Sequence, residues 1–110
     1  SILFSSHHKL SNLVIIIDYN KLQSTDSVKN TLNLEPLDKK FKSFGCKVLI
    51  VNGHNCEQIF KALNSKSSKP LVIIANTIKG KGVSFMENSV LWHYRSLNAE
   101  NYQKAMKIIK

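Results

Sequence analysis

The sequence predicts an α/β domain in which helices cover both faces of a parallel sheet. Three short apolar runs, at residues 13–18, 46–51 and 70–75, alternate with segments of helical periodicity. Runs this apolar have no polar face, which is typical of parallel strands that are buried on both sides. Alternating strands and helices join parallel strands through crossover connections. A length of 110 residues allows one domain at most.

The first third of the chain combines a helix end, a strand and a polar loop. Residues 2–10 read as the last turns of a helix, with basic side chains near its negative end. The apolar run Leu13–Asp18 follows as a strand that we expect to be buried on both faces. The polar stretch Lys21–Asn33 has no period and is predicted to be a loop, and loops of this length are often functional.

The middle third contains a helix followed by a strand. Pro36 is typical of the first turn of a helix. Leu37, Phe41 and Phe44 would form its buried stripe, and Gly45 would end it. Residues 46–51 then form the second predicted strand.

The last third contains two capped helices on either side of a strand. Asn55 can cap a helix whose third position is Gln58, a variant of the capping box. Pro70 begins the third strand, at a position where no ladder donor is lost. Asn98 caps the final helix. The apolar faces of the two helices are predicted to consist of Ile59, Phe60 and Leu63 in the first, and of Tyr102, Ala105, Met106 and Ile109 in the second.

Composition limits the classes of function. The apolar runs are too short for a membrane helix and no signal-peptide pattern is present, so we expect a cytoplasmic protein without membrane contact. Cys46 and Cys56 fit no zinc spacing and are expected to be buried, reduced thiols. The net charge of +9 could attract polyphosphate, nucleic acid or an acidic membrane. Many lysines fall on solvated helix faces with no interleaved aromatic residues, which argues against nucleic-acid binding.

Two segments contain candidate site residues. Asn20 directly follows the first strand, and its amide oxygen, with the backbone carbonyl of Leu22, suits Mg²⁺, although a simple turn explains it as well. Lys79 begins a Lys-Gly-Lys-Gly segment after the third strand. This segment lacks the glycine spacing and the following Ser or Thr of a Walker loop. It can hold an anion through a glycine backbone and a lysine charge, or be only a basic turn.

The order of several motifs resembles that of the thiamine-diphosphate domain of transketolases. The matching segments run from the first residues to the last third of the chain: Ser6-His7-His8-Lys9-Leu10, Asn12-Leu13, Asp18-Tyr19-Asn20-Lys21-Leu22-Gln23, Leu34-Glu35-Pro36-Leu37, Phe44-Gly45, Asn52-Gly53-His54, Lys69-Pro70, the segment from Thr77 to Glu87, and Trp92-His93. The resemblance implies that Asn20 and Leu22 bind Mg²⁺. It also implies that Lys79 reaches the cofactor diphosphate.

The same resemblance makes His93 the catalytic candidate. In the family, a histidine at this position faces the diphosphate and the sugar substrate and assists proton transfer at the substrate oxygens. Tyr94 stands where the family carries a glycine beside the active site. The Gly-Asp-Gly motif that supplies a third Mg²⁺ ligand is absent from the 110 residues. We therefore expect residues 1–110 to be the C-terminal part of the domain, with that motif upstream.

The implied function is that of a transketolase fragment. The complete enzyme would transfer a two-carbon ketol unit between sugar phosphates with thiamine diphosphate and Mg²⁺. It would need a pyrimidine-binding subunit or domain and would form a homodimer or heterotetramer, so this chain is expected to be inactive alone. Two alternatives remain open: another thiamine-diphosphate enzyme, such as a deoxyxylulose-phosphate synthase, and a non-enzymatic basic interaction module.

Overall fold

The computed structural model describes residues 1–109, which form two compact units. The first unit comprises Ser1–Tyr19 and Leu34–Thr77, and it contains the sheet. The second comprises Asn20–Asn33 and residues 78–109. The predicted domain boundary at residue 110 lies outside the described residues. No helix among residues 1–109 is long and apolar enough to cross a membrane.

The sheet of the first unit has three parallel strands. They are β1 (Val14–Tyr19), β2 (Lys47–Asn52) and β3 (Leu71–Asn76), in the order β1-β3-β2. The pairing is in register, so that Ile16, Ile73 and Leu49 lie side by side. The predicted parallel sheet is confirmed, with strand bounds that differ from the prediction by one residue.

The central strand β3 is buried on both faces, because all its residues from Leu71 to Ala75 are buried and their side chains alternate in direction. One face packs in a cluster with the helix α4 (Cys56–Leu63). Its members come from β2, β3 and α4: Val51, Ala62, Leu71, Ile73 and Ala75, with Leu49 and Ile59 packed against them. Because β3 holds the most buried side chains, it forms the centre of the core.

The expectation that the first strand is buried on both sides is wrong. In β1, Val14 is 40% exposed and Ile16 is 57% exposed. Both pair with β3 residues that belong to the α4 cluster, so they lie on the same face of the sheet. A helix is about 10 Å wide and neighbouring strands lie about 4.8 Å apart, so one helix covers about two strands. Since α4 packs on β2 and β3, β1 is left uncovered on that face.

The described part of the first unit contains three helices. They are α1 (Ile2–His7), α3 (Leu37–Ser43) and α4. Pro36 is the N-cap of α3 and not its first helical residue, and Gly45 follows the helix at a φ of +87°. Asn55 caps α4 by accepting a hydrogen bond from the backbone of Gln58. The side chain of Gln58 accepts from the backbone of Asn52, so the reciprocal half of the predicted capping box is wrong.

Several predicted core positions are exposed. Phe44, Phe60 and Leu63 are 44%, 66% and 45% exposed, whereas Ala62 is buried. The same holds for the apolar face of the last helix, where only Ala105 is buried and three side chains are exposed: Tyr102, Met106 and Ile109. Helical spacing identified the amphipathic helices, but it did not show how much of each apolar face is covered by another element. Cys46 is buried as expected, whereas Cys56 is exposed, and both are free thiols.

The second unit contains two helices and a 3₁₀ turn. The predicted loop 21–33 includes a short helix, α2 (Val28–Thr31), which Ser27 caps by accepting from the backbone of Asn30. A 3₁₀ helix spans Val90–His93. The last helix, α5 (Ala99–Ile108), begins after Asn98, which accepts from the backbone of Asn101 as the sequence predicts.

Two hydrogen bonds fix the strand ends from which the chain leaves the sheet. At the end of β1, Asp18 accepts a hydrogen bond from the hydroxyl of Thr77, which follows β3. The buried Tyr19 donates its hydroxyl to Glu35. Because Tyr19 precedes the segment 20–33 and Glu35 follows it, this hydrogen bond holds the two ends of that segment together.

Replacing Tyr19 with Phe removes a hydrogen bond to a carboxylate, so we expect the free energy of unfolding to fall by about 1.5–3 kcal/mol at neutral pH. Burial, followed by the hydrogen bond and negative charge of Glu35, raises the pKa of Tyr19 from 10.0 to about 12. A pKa raised by folding gives stabilisation that is complete below pH 10 and is lost as the pH rises through about 12.

The measurement is urea unfolding of wild type and Tyr19→Phe across this pH range. The difference in stability between the two proteins should shrink as the pH approaches 12. Tyr102→Phe is the control, because Tyr102 is 51% exposed on α5. A Tyr19→Phe difference that stays constant with pH would contradict the assigned role of the hydroxyl.

Candidate active site

The second unit contains an open cleft of about 490 Å³ that is lined mainly by polar residues. The structure brings together there all four residues that the sequence singled out for cofactor, metal or catalysis. The lining residues are Asn20, Leu22, Gln23, Ser24, Thr25, Thr31, Lys79 and His93. We call this the polar cleft. Its lining combines amide, hydroxyl, imidazole and ammonium groups and includes no carboxylate.

One wall of the polar cleft is a turn that begins at Asn20. The Asn20 side-chain oxygen accepts a hydrogen bond from the backbone N–H of Leu22 at 3.0 Å. Lys21 has a φ of +63°, and its carbonyl accepts from the N–H of Val28 at 2.9 Å. These contacts make the turn a structured element, so Asn20 and Leu22 have fixed places in the wall.

Lys79 comes from a second turn, which depends on glycine. Gly80 has a φ of +72°, in the left-handed region that favours glycine. A Cβ at Gly80 would lie 2.6 Å from the carbonyl oxygen of Met86. The carbonyl of Lys79 accepts from the N–H of Asn88 at 3.0 Å, which closes the turn. Lys79 is half-buried beside the polar cleft, while Lys81 is exposed.

His93 is the last residue of the 3₁₀ helix, and the preceding residue anchors it. The Trp92 indole N–H donates to the carbonyl of Phe85 at 3.1 Å, and the two rings meet edge-to-face with centroids 5.6 Å apart. The His93 imidazole is exposed, and its Nε2 lies 3.1 Å from the Ser24 hydroxyl. Tyr94, the residue that departs from the family pattern, is 72% exposed and is not part of the lining.

The polar cleft is suited to an anion. Lys79 supplies a positive charge, and hydroxyl and amide groups supply hydrogen bonds. Asp26 is the acidic residue of the segment 20–33, and its pKa is lowered by a hydrogen bond from Asn30 and by one from the backbone of Ser27. Its carboxylate is therefore satisfied within its own turn.

Residues 1–109 contain no cluster of three His, Cys, Asp or Glu side chains that could hold a metal ion.

Sequence reasoning missed the hydroxyl side chains of the lining, namely Ser24, Thr25 and Thr31. They lie in the segment that was predicted to be a loop with possible function. Polar loop residues give no periodic signal, so only the tertiary structure distinguishes those that face the polar cleft from those that face solvent.

The fold and the polar cleft define the class of protein. The chain superposes on a crystal structure of transketolase from Campylobacter jejuni with a TM-score of 0.88 and 36% identity, over 96% of this chain and 17% of the other. It belongs to the family of the transketolase thiamine diphosphate-binding domain, whose model matches residues 1–109.

Two curated relatives are subunits of transketolases. The chain is 38% identical over 105 residues to a subunit of the apulose-4-phosphate transketolase of Phocaeicola vulgatus, covering 93% of this chain and 37% of the relative. It is 36% identical over 107 residues to a subunit of the 6-deoxy-6-sulfo-D-fructose transketolase of a Clostridium species, covering 94% of this chain and 39% of the relative. The chain thus spans less than half the length of these relatives.

Gly80 and Gly82 provide a matched test of the Lys79 turn. Both have positive φ, but a Cβ at Gly82 would meet no atom of the described residues within 4 Å. We expect Gly82→Ala to cost about 1–2 kcal/mol of stability from backbone strain. Gly80→Ala should cost about 1–3 kcal/mol more, because its Cβ also collides with the Met86 backbone. Urea unfolding measures both, and equal losses would contradict this account of the turn.

Proposed function

We propose that this chain is part of a transketolase-like enzyme that transfers a two-carbon ketol unit between sugar phosphates with thiamine diphosphate and Mg²⁺. The observation that carries the proposal is the meeting of Asn20, Leu22, Lys79 and His93 in one polar cleft. These residues come from two segments that are far apart in sequence. Membership of the transketolase family supports the assignment of the cofactor.

The donor atoms of the polar cleft fit Mg²⁺ in kind. The Asn20 amide oxygen accepts one hydrogen bond from Leu22 and has a second lone pair for a cation. The Leu22 backbone carbonyl would be a second neutral oxygen ligand. Two neutral oxygens are too few to hold Mg²⁺ tightly, since the ion prefers six ligands and at least one carboxylate. We propose that the Gly-Asp-Gly aspartate, which these 110 residues lack, is supplied by another part of the complete enzyme.

Each residue of the polar cleft has a separate role in the proposal. Thiamine diphosphate, when bound, supplies the electron sink for cleavage and formation of the carbon–carbon bond. Lys79 would offset the charge of the diphosphate. His93 would move a proton at the substrate oxygens, since one imidazole nitrogen can donate while the other accepts. Asn20 and Leu22 would orient the diphosphate through the cation.

The names of the two relatives suggest the substrate class. One is named for a sugar phosphate and the other for a sulfonated sugar, so both names specify a sugar with an anionic group. We propose an anionic sugar, and a phosphate ester in the first instance, for this protein. The polar cleft is consistent with this choice because its lining has no carboxylate to repel an anion.

We further propose that the chain is inactive alone. It spans 37–39% of the two relatives, so most of their length has no counterpart here. The complete enzyme would contain a pyrimidine-binding subunit or domain and would assemble as a homodimer or heterotetramer.

The cytoplasmic location stays a prediction. A deoxyxylulose-phosphate synthase would use the same cofactor, and a substrate screen of the assembled enzyme separates the two reactions.

The test is calorimetric titration of thiamine diphosphate into the 110-residue chain with and without Mg²⁺. We expect weak binding that requires Mg²⁺ and that falls by about tenfold, or about 1.4 kcal/mol, in Asn20→Ala. Lys79→Gln should weaken binding by a similar factor, because the substitution removes a charge-assisted contact with the diphosphate.

Lys81→Gln is the matched control, since Lys81 belongs to the same turn but is exposed outside the lining. It should bind like the wild type. Equal losses of thiamine diphosphate affinity in Lys79→Gln and Lys81→Gln would indicate a general charge effect and contradict a specific contact of Lys79. Thiamine diphosphate binding that does not depend on Mg²⁺ would contradict the proposed role of the metal.

The basic interaction module requires the exposed lysine faces. Lys42, Lys61 and Lys104 are exposed, and each forms an i,i+4 ion pair with a carboxylate on its own helix. We expect the triple replacement of these lysines by Gln to leave thiamine diphosphate affinity unchanged. Titration with single-stranded DNA at two salt concentrations tests the alternative. Salt-dependent DNA binding that the triple variant loses, with no response to thiamine diphosphate, would favour the module.

A further inference from the structure

A hydrogen bond between two side chains connects the two segments that form the polar cleft. The Ser24 hydroxyl lies 3.1 Å from Nε2 of His93, although the two residues are 69 positions apart in sequence. Both residues line the polar cleft. The contact therefore joins the turn that carries Asn20 to the segment that carries the catalytic candidate.

Ser24 is held firmly enough to act as a fixed partner. The turn that contains it is closed by a hydrogen bond from the N–H of Gln23 to the carbonyl of Asp26, at 2.7 Å. The side chain of Gln23 donates to the carbonyl of Leu32 at 3.0 Å. An isolated antiparallel bridge joins Leu22 and Ser27 on either side of the turn. The backbone on both sides of Ser24 is thus fixed by its own unit.

The imidazole of His93 needs such a partner. Its backbone is anchored through Trp92, but its side chain is exposed and two torsions remain free to rotate. An exposed imidazole also exchanges between two neutral tautomers. A hydroxyl can donate to a ring nitrogen or accept from it, so Ser24 can restrict the ring without excluding the protonated form.

We propose that Ser24 is a positioning residue that orients His93 for an anionic diphosphate ligand in the polar cleft. The proposal rests on the proposed function, since the ligand considered is thiamine diphosphate with Mg²⁺. When Nε2 engages Ser24, Nδ1 is the ring nitrogen that remains for the ligand. A diphosphate only accepts hydrogen bonds from the imidazole, so of the two neutral tautomers it favours the one with its proton on Nδ1. In that tautomer Nε2 accepts from the Ser24 hydroxyl.

The first experiment observes the ring directly in the 110-residue chain. Nitrogen-15 NMR distinguishes the two ring nitrogens, and His93→Gln assigns the His93 signals among the four histidines. We expect Ser24→Ala to shift the His93 ring signals towards a mixture of tautomers. Ser24→Thr keeps the hydroxyl and should retain the wild-type signals. Ser84→Ala is the control, because Ser84 is an exposed serine of the same unit outside the lining. Unchanged His93 signals in Ser24→Ala would overturn the proposal.

The second experiment asks whether the orientation matters for the ligand. Calorimetric titration of thiamine diphosphate with Mg²⁺ should show about fivefold weaker binding for Ser24→Ala, which is the usual effect of losing one hydrogen bond. In a His93→Gln background the same replacement should have almost no further effect, because Ser24 acts through His93. A merely structural role would weaken binding equally in both backgrounds.

The outcomes separate the two proposals. The positioning role is overturned if Ser24→Ala binds thiamine diphosphate as tightly as the wild-type chain. It is also overturned if Ser24→Ala lowers the affinity by the same factor in the wild-type and His93→Gln backgrounds. In both cases the proposed function stands. If the wild-type chain does not bind, the proposed function fails and the positioning role fails with it. The NMR comparison then shows whether the contact between Ser24 and His93 exists without a ligand.

Discussion

The pairing of β3 with a parallel strand on each side is the constraint on which the rest of the structure depends. Its buried residues hold the core of the first unit, and its register with β1 makes both strands end at the same level. The hydrogen bond between Asp18 and Thr77 fixes those ends. Because Asn20 and Lys79 follow these neighbouring strand ends, residues that are distant in sequence leave the sheet from adjacent points.

Local signals made much of the fold predictable. The strands were visible as apolar runs, and Asn55 and Asn98 were recognisable as caps, because capping needs only one side chain and the next turn of backbone. The helix α2 and the 3₁₀ helix were missed since four residues are too few for a periodic pattern. Exposure was the least predictable property. Periodicity identifies the apolar side of a helix, whereas exposure at Phe60 or Ile16 depends on whether another element packs there.

The candidate site was predictable to a different degree for each residue. Asn20 and Lys79 have a physical signature, because each follows a buried parallel strand, where ligands commonly bind. Leu22 was named with Asn20 because a backbone carbonyl near an amide oxygen suits Mg²⁺. His93 was identified by resemblance alone, since one histidine is not distinctive in a sequence. Ser24 was not identified at all. Its contact with His93 joins two irregular segments, and no local pattern records which loop residues meet across 69 positions.

Net charge and site charge have different physical meanings in this protein. Lys42, Lys61 and Lys104 are exposed and pair with carboxylates one helical turn away, where such pairs contribute about 0.3–0.5 kcal/mol each and are screened by salt. Lys79 is half-buried beside a lining without carboxylates, so its charge has no nearby carboxylate in the lining to offset it. An anion gains more from one such lysine with oriented hydrogen-bond donors than from several screened ones. In the proposed function, recognition of an anion at the polar cleft would therefore depend on where Lys79 lies, while the overall charge of +9 would contribute only long-range attraction.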